Sequence, residues 1–436
     1  MGCLISVEKR GYAKTGSVNS RSILAGFVGN ILEWYDFTVY GFFAAVIGAL
    51  FFPSEDRVAS LIAAFGVFAA GYFMRPLGGL VFGIMGDKLG RQKALSMSIL
   101  LMAIPTTLIG CLPTHASLGW LAALLLILLR LLQGISVGGE FTGSISYLVE
   151  KAPEGSRGFY GSWTTFGVMG GMLLGSGVGA LVTTLLTHAE VHDYGWRIPF
   201  LLGSVVGILG LILRRGMASD DLIERLKRQG RLSQSPLREL WHGYRNRVLK
   251  LILFIWGFAV TVYLIFIYLT SYLHSFLHVP MHLALSANTI AMTFLMCVTP
   301  FMGRLSDRVG RRPPLLLAFA GFTLLAFPLF GLLFRGTFTA ILLSLMLFAL
   351  MQGVLQGVVP ATMAEMFPAR IRYTGLSVSY NIAMALFGGT APMTATYLIR
   401  ATDGNRWMPA VYLAVAAAIS LVTVTRFRET FKEPLE

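Results

Sequence analysis

The sequence predicts an all-α membrane protein in which twelve transmembrane helices form two pseudo-symmetric six-helix bundles. Hydrophobic residues make up 55% of the 436 residues and charged residues only 13%, which is too little polar surface for a soluble chain of this length. Runs of about 20 apolar residues, long enough to cross a bilayer core of about 30 Å, recur along the chain. The predicted spans are 22–50, 57–83, 92–112, 118–149, 156–186, 196–214, 248–277, 283–304, 313–334, 337–366, 371–400 and 405–425.

Two repeated motifs indicate that the two halves arose from one duplicated unit. The loop sequence GIMGDKLGRQK, Gly83–Lys93, follows span two and returns as GRLSDRVGRR, Gly303–Arg312, after span eight. A second pair, Glu150–Gly158 and Glu365–Arg372, ends spans four and ten in the same order. Paired halves in a membrane commonly move against each other around a central site, and we expect the same here.

The net charge of +14 is concentrated on one side of the predicted topology. Lys and Arg cluster in the even-numbered loops and in both tails, and such residues remain on the cytoplasmic side of a membrane protein. We therefore predict cytoplasmic termini and an excess positive charge that faces anionic lipids rather than nucleic acid. The predicted domains are a tail 1–21, a first bundle 22–214, a cytoplasmic linker 215–247, a second bundle 248–427 and a tail 428–436.

The cysteines and histidines predict neither a metal centre nor a catalytic site. Cys3, Cys111 and Cys297 lie far apart in the chain, without the spacing of metal ligands. The seven histidines lie in or near predicted loops, where they cannot form a nucleophile–base pair within the membrane. We therefore expect no cofactor, no metal and no enzymatic activity. We also expect the chain to function as a monomer.

The first predicted bundle carries charged residues inside its spans, whereas the second has almost none away from its span ends. Such groups are costly in a bilayer, so they face each other or an aqueous cavity. Counting residues from the span ends places Asp36 and Arg130 near the bilayer midplane, and we predict that they pair. We expect Arg75 to pair with Glu140 in a layer nearer the cytoplasm, beside Glu33. On this interpretation, Arg75 and Arg130 are the only cations well inside the core.

Four sequence blocks resemble the metabolite:proton symporters of the major facilitator superfamily, a group that includes proline/betaine, 2-oxoglutarate, citrate and shikimate carriers. The blocks are Gly29–Gly41, Phe73–Gly79, Arg130–Glu140 and Gly195–Phe200, and the repeated loop motif is similar to the hallmark of that superfamily. The resemblance implies the fold of the superfamily and a bacterial inner-membrane location. It also implies uptake of a small carboxylate-bearing metabolite, with the proton gradient as the energy source.

The resemblance leaves the transported metabolite open. The segment Tyr380–Pro392 is more similar to the proline/betaine carriers than to the citrate carriers, which favours a zwitterion held by arginine and by cation–π contacts. A di- or tricarboxylate such as 2-oxoglutarate or citrate is the alternative, followed by a drug:proton antiporter or a non-transporting nutrient receptor. The expected substrate-binding residues are Arg75, Arg130, Tyr35, Trp34, Trp163, Tyr268, Gln352, Gln356, Tyr380 and Asn381.

A carboxylate that alternates between an arginine partner and water changes its proton affinity, which suits proton coupling. We expect Asp36 to carry the coupling proton and Arg130 to be its switch partner, with Glu33 and Glu140 as further candidates. A static ion pair that holds spans one and four together is the alternative. The repeated motifs are expected to form ionic latches on the cytoplasmic face, where each aspartate also caps the helix that follows it. The predicted latch residues are Asp87, Arg91, Glu150, Arg157, Asp307, Arg311, Glu365 and Arg372.

Overall fold

The computed structural model describes residues 20–55, 57–215, 221–230 and 233–435, and the predicted tail 1–21 lies almost wholly outside them. All regular secondary structure in these ranges is helical. The helices are α1 Ser20–Phe42, α2 Ala44–Phe51, α3 Arg57–Phe73, α4 Arg75–Leu89, α5 Arg91–Cys111, α6 His115–Leu118, α7 Trp120–Lys151, α8 Arg157–Leu185, α9 His188–Glu190, α10 Arg197–Arg215, α11 Asp221–Arg228, α12 Pro236–Gly243, α13 Arg245–Val262, α14 Leu269–Leu277, α15 Met281–Val309, α16 Arg312–Leu333, α17 Phe338–Glu365, α18 Arg372–Ala383, α19 Ala391–Ala401 and α20 Met408–Thr425. Three π-helical segments, Val191–Gly195, Tyr263–Tyr268 and Met384–Gly388, complete the series.

The helices agree with the predicted number of spans, but the first span is bent. Among the described residues, eleven helical stretches are long and apolar enough to cross a membrane, and a bent pair brings the number to twelve. That pair consists of Gly26–Phe42 and Ala44–Phe51, which meet at 67°. Gly41 lies two residues before the break at Phe43, and glycine within a helix weakens it near that point. The predicted span 22–50 corresponds to this bent pair.

Span two also consists of two helices, α3 and α4, which meet at Met74. Pro76 occupies the first turn of α4, where its missing N–H group leaves no helical hydrogen bond unmade. The junction places Arg75 at the first residue of α4, and the structure buries its side chain in the bundle. The proline thus fixes the position of one of the charged residues inside the membrane.

The two halves contact each other most extensively at two related helix crossings. Helix α4 of the first half packs on α18 of the second, and α8 of the first half packs on α15 of the second. Glycines allow these approaches, because a Cβ added at Gly86 would lie 1.8 Å from Tyr373 Cδ1 and one at Gly158 would lie 2.3 Å from the carbonyl oxygen of Gly303. Both crossings lie on the side that carries the two repeated loop motifs, which we call the motif face.

The polar segment between the halves is tied to the motif face. It contains the short helices α11 and α12 in its described part, and α13 then begins at Arg245, slightly before the predicted start of the second bundle. Glu239 of α12 accepts a 2.5 Å hydrogen bond from Arg370 Nε, and this bond raises the pKa of the Arg370 guanidinium. The bond joins α12 to the loop that precedes α18.

Candidate functional site

A buried ion pair joins α1 and α7 inside the first bundle. Arg130 Nη1 lies 2.5 Å from Asp36 Oδ2, which confirms the predicted contact, and both side chains are buried. Gln133 donates to Asp36 Oδ1 at 3.0 Å and accepts from Arg130 at 2.9 Å. The Arg130 guanidinium also lies 3.8 Å from the centroid of the Tyr40 ring. Both oxygens of Asp36 therefore accept hydrogen bonds, and the arginine compensates the charge of the carboxylate.

Gln133 is not among the predicted site residues, although it completes this cluster. Its amide donates to Thr106 Oγ1 at 2.7 Å in addition to Asp36, so helix α5 also takes part in the cluster. The signal that could have found Gln133 is its position one turn after Arg130 on α7, because residues three apart on a helix are neighbours.

The predicted pair of Arg75 with Glu140 is wrong. Arg75 Nη2 instead lies 3.8 Å from Glu33 Oε1. Glu140 accepts hydrogen bonds from Arg214 and from the Ser98 hydroxyl. Away from the motif face, the described part of the first bundle therefore holds three interior arginine–carboxylate pairs rather than two, and the third arginine comes from the end of α10.

Arg214 was overlooked because of its position in the sequence. It lies next to the last residue of α10, where an arginine resembles an ordinary cytoplasmic flank. In the structure its side chain is only 1% exposed, and its guanidinium donates to the carbonyl oxygen of Leu95 as well as to Glu140. Arginine has a long, flexible stem, so a residue near a helix end can place its charge in the bundle. Arg75 and Arg130 are thus not the only cations in the core.

Groups from both halves surround Arg75. Its guanidinium lies 5.3 Å from the centroid of the Tyr72 ring, and its Nε donates to Asn381 Oδ1 at 3.5 Å. The Tyr263 hydroxyl donates to the Tyr72 hydroxyl at 3.3 Å. Asn381 and Tyr263 belong to the second half, so Arg75 lies where the two bundles meet.

A cavity of about 20 Å³ lies between the halves near this arginine. Phe141 and Tyr380, one from each half, stack with 4.6 Å between their ring centroids. A space of this volume holds about one water molecule, so a metabolite can enter only if the cavity widens. Tyr263 and Met384 each begin a π-helical segment, an irregularity that is frequent at functional sites. The residues that line the cavity are Trp34, Phe141, Val168, Met169, Met172, Phe258, Ala259, Val262, Tyr263, Gln356, Tyr380 and Met384.

Three of the predicted substrate-binding residues, Trp34, Gln356 and Tyr380, line this cavity. Asn381, the residue after Tyr380, does not line the cavity and accepts the hydrogen bond from Arg75 Nε instead. Gln352 is buried one turn before Gln356 on α17, and both polar atoms of its amide lack hydrogen-bond partners.

Seven of the ten predicted substrate-binding residues do not line the cavity, and three of these, Tyr35, Trp163 and Tyr268, make contacts elsewhere. The Tyr35 hydroxyl donates to the carbonyl oxygen of Pro199 at 2.6 Å within the first bundle. Trp163 stacks on Phe27, with 5.6 Å between the ring centroids. Tyr268 accepts a 3.2 Å hydrogen bond from a threonine of α19. Their positions follow from the rotation of each helix about its axis, which the aromatic composition of a span does not specify.

The first repeated motif forms an ionic network on the motif face. Arg91 contacts Asp87 at 2.7 Å and Glu150 at 2.9 Å. Arg372 of the second half contacts Glu150 at 2.7 Å. This network therefore joins the two halves.

The second repeated motif forms the equivalent network. Arg311 contacts Asp307 at 2.9 Å and Glu365 at 3.0 Å. Arg157 of the first half lies 3.6 Å from Glu365. The two networks are related by the duplication, and together they contain all eight predicted latch residues.

Each motif aspartate caps a helix of the opposite half rather than the helix that follows it. Asp87 accepts from the backbone N–H groups of Tyr373 and Thr374, at 3.2 and 2.8 Å, in the first turn of α18. Asp307 accepts from those of Gly158 and Phe159, at 2.7 and 2.9 Å, in the first turn of α8. Free N–H groups and the helix dipole favour a carboxylate at both places. The prediction that each aspartate caps a helix is confirmed, but the helix predicted to receive the cap was wrong.

Asp307 does not cap α16, the helix that follows the second motif, and the chain after α20 caps it instead. Glu429 accepts from the backbone N–H groups of Arg311 at 2.8 Å and Arg312 at 3.0 Å, where α16 begins. Thr430 donates to Glu365 at 2.7 Å, and Arg157 of the first half donates to the carbonyl oxygen of Glu433 at 2.8 Å. The C-terminal segment thus bridges both halves at the motif face.

Two helical bundles that meet across one face and enclose buried charges have the architecture of a secondary transporter. Comparison with known proteins agrees, because the sequence model of the Major Facilitator Superfamily matches residues 26–392 and, in a second match, 281–434. The chain belongs to the major facilitator superfamily. It is an integral membrane transporter rather than an enzyme.

Curated relatives cover nearly the whole chain. A proline/betaine transporter of Escherichia coli K12 is 38% identical over 95% of this chain and 85% of its own length. The glycine betaine/proline/ectoine/pipecolic acid transporter OusA of Dickeya dadantii is 37% identical over 95% of this chain and 84% of its own length. Among solved structures, the proton:xylose symporter XylE bound to 6-bromo-6-deoxy-D-glucose superposes with a TM-score of 0.80. It is 19% identical, covers 95% of this chain and 97% of its own, and shows the same fold.

Proposed function

We propose that this transporter takes up a small zwitterionic carboxylate, such as proline or betaine, together with protons. It does so by alternating access, as a monomer in a bacterial inner membrane, with the motif face and both termini in the cytoplasm. The relatives named for proline and betaine, at 37–38% identity, support the substrate class. The proton gradient supplies the energy, so no cofactor is required.

The buried pair of Asp36 and Arg130 is the observation that carries the proton-coupling proposal. Protonation of Asp36 removes the charge that holds Arg130, which then keeps Gln133 and the Tyr40 ring as its neighbours. Nε and Nη2 of Arg130 are buried without hydrogen-bond partners, so the freed guanidinium has donors for water that enters the widening cavity. Protonation of Asp36 thereby loosens the contact of α1 with α7, and α1 also lines the central cavity through Trp34. The protonation state of Asp36 and the shape of the cavity therefore depend on each other, and release of the proton restores the pair.

The ionic networks of the motif face support the gating part of the proposal. Both networks and both helix caps join the halves in this structure, so access to the central cavity from the motif face is closed. Alternating access requires that these contacts break and that the opposite face close. The glycine-mediated crossings of α4 with α18 and of α8 with α15 are the surfaces that separate.

The charge balance of the core favours a zwitterion over a di- or tricarboxylate. In the described part of the first bundle, each of the three interior arginines faces a carboxylate, since Arg214 contacts Glu140, Arg75 contacts Glu33 and Arg130 contacts Asp36. A substrate with two or three negative charges would enter a site without surplus positive charge. A zwitterion leaves the balance unchanged, and the aromatic residues of the cavity suit its cationic group.

Uptake into proteoliposomes under an imposed proton gradient tests the proposal. The panel contains proline, glycine betaine, 2-oxoglutarate, citrate and shikimate, and we expect accumulation of proline or glycine betaine that collapses with the gradient. The Asp36→Asn variant is expected to lose gradient-driven accumulation while it keeps counterflow exchange. Accumulation that is insensitive to the gradient would refute symport, and normal accumulation by Asp36→Asn would refute the coupling role.

A further inference from the structure

Glu33 differs from the other buried carboxylates of the described chain because its oxygens have no hydrogen-bond partner. Asp36, Glu140 and Glu150 each accept hydrogen bonds at both oxygens. The contact of Glu33 with Arg75 is 3.8 Å long, which exceeds hydrogen-bond distance, and Arg75 Nη1 lacks a partner as well. A carboxylate and a guanidinium thus lie side by side, both buried and both with unused hydrogen-bonding capacity.

An unsatisfied buried charge is among the most costly features of a protein interior. A packed ion pair relieves that cost by shortening until hydrogen bonds form, as Arg130 and Asp36 do at 2.5 Å. The Glu33–Arg75 pair has not shortened, so its unused donors and acceptors are available to a ligand. A molecule that carries a cationic group and a carboxylate a few ångströms apart matches both unused groups at once.

The surroundings of the pair suit such a molecule. The Tyr72 ring lies 5.3 Å from the Arg75 guanidinium, and the Tyr72 hydroxyl accepts a 3.3 Å hydrogen bond from Tyr263. Tyr263 also lines the central cavity, so it connects the cavity with the surroundings of the ion pair. Aromatic faces attract a secondary or quaternary ammonium group and exclude water from it.

We propose that Glu33 and Arg75 together bind the transported zwitterion, with Glu33 facing the cationic group and Arg75 the carboxylate. This inference rests on the proposed function and adds the residue that recognises the positive end of the substrate. Glu33 lies one turn before Asp36 on α1, so one helix carries the carboxylate that recognises substrate and the carboxylate that takes the proton. The substrate takes the place of the long contact between Glu33 and Arg75.

A pair of isosteric ligands tests the role of Glu33. Glycine betaine and 3,3-dimethylbutanoate have the same shape, but a neutral carbon replaces the quaternary nitrogen in the second. We expect the purified full-length protein to bind glycine betaine about 10- to 100-fold more tightly than the isostere in titration calorimetry, the range expected for a desolvated cation that faces a carboxylate and aromatic rings. In Glu33→Gln this preference is expected to disappear, because glycine betaine binds more weakly while the isostere does not. Arg75→Gln is expected to weaken both ligands.

Glu154→Gln is the matched control, because Glu154 is exposed in the loop before α8 and takes no part in either site. It is expected to keep the wild-type preference. The wild-type comparison of the two ligands does not depend on any variant, so a misfolded Glu33→Gln protein leaves the proposal open to refutation.

The outcomes separate this inference from the proposed function. If the wild-type protein neither binds nor accumulates proline or glycine betaine, the proposed function fails and the inference fails with it. If it accumulates glycine betaine but binds the isostere equally well, or if Glu33→Gln keeps the preference, the inference alone is overturned. If Glu33→Gln binds glycine betaine normally but no longer uses the proton gradient, Glu33 is a protonation site and the recognition role is refuted.

Discussion

Substitution of Asp87 by Asn is expected to open the motif face. Asp87 accepts hydrogen bonds from two backbone N–H groups of α18 and from Arg91. A hydrogen bond to a charged group contributes about 1.5–3 kcal/mol, and the neutral Asn oxygen keeps part of each bond. We therefore expect the closed conformation to lose about 2–4 kcal/mol relative to the open one. This corresponds to a shift of roughly 30- to 1,000-fold in their ratio.

Distances between spin labels at Leu89 and Val309 measure this opening. The two side chains are 57% and 47% exposed, belong to opposite halves, and follow the motif aspartates at equivalent positions. Labels require a protein without its native cysteines, of which Cys111 and Cys297 are exposed. Asp87→Asn is expected to add a longer distance to the distribution.

The equivalent substitution Asp307→Asn gives a second test of the same reasoning. The two aspartates cap different helices, α18 and α8, so their effects are expected to add in the double variant. Glu154→Gln, in an exposed loop, is the control and should leave the distances unchanged. An unaltered distribution in a double variant that retains the wild-type melting temperature would show that the cross-half caps do not hold the motif face closed.

Three further substitutions test individual contacts. Arg214→Leu leaves the buried Glu140 carboxylate without its arginine, which should lower the free energy of unfolding in denaturant by about 3–5 kcal/mol. The double variant with Glu140→Gln should recover most of that loss. No recovery would contradict the pairing. Glu429→Ala should speed hydrogen exchange of the Arg311 and Arg312 amides about tenfold or more, because their acceptor is removed, and unchanged exchange would contradict the cap. Gly86→Val should block the approach of Tyr373 and abolish uptake. Gly170→Ala is the control and should transport normally, because a Cβ added at Gly170 would have no neighbouring atom within 4 Å. Normal uptake by Gly86→Val would show that this crossing need not close.

The contact between Asp36 and Arg130 could be predicted because depth along a span follows from residue counting. Depth does not give the rotation of a helix about its axis, and for that reason Arg75 was assigned to Glu140 instead of Glu33. Arg214 escaped the prediction for a related reason, since its Cα lies near a helix end while its charge lies in the core.

The helix caps show the same division between local and long-range information. The aspartate and the arginine of each motif are four residues apart, on either side of the glycine that ends the helix, so their pairing is local and could be predicted. The helix that receives each cap belongs to the other half, more than 140 positions away in the chain. Its identity depends on how the two bundles pack.

The sequence by itself determined the class of this protein, because the length and number of apolar runs, the duplicated motifs and the blocks shared with metabolite symporters are written along the chain. It also determined the central Asp36–Arg130 pair, whose members lie at the same depth. Only the tertiary structure decided which arginine meets which carboxylate elsewhere, which helices the motif aspartates cap, and that Glu33 has unused acceptors. The physical reason is that these features depend on helix rotation and on the contact between the halves, which residue spacing along one span does not specify.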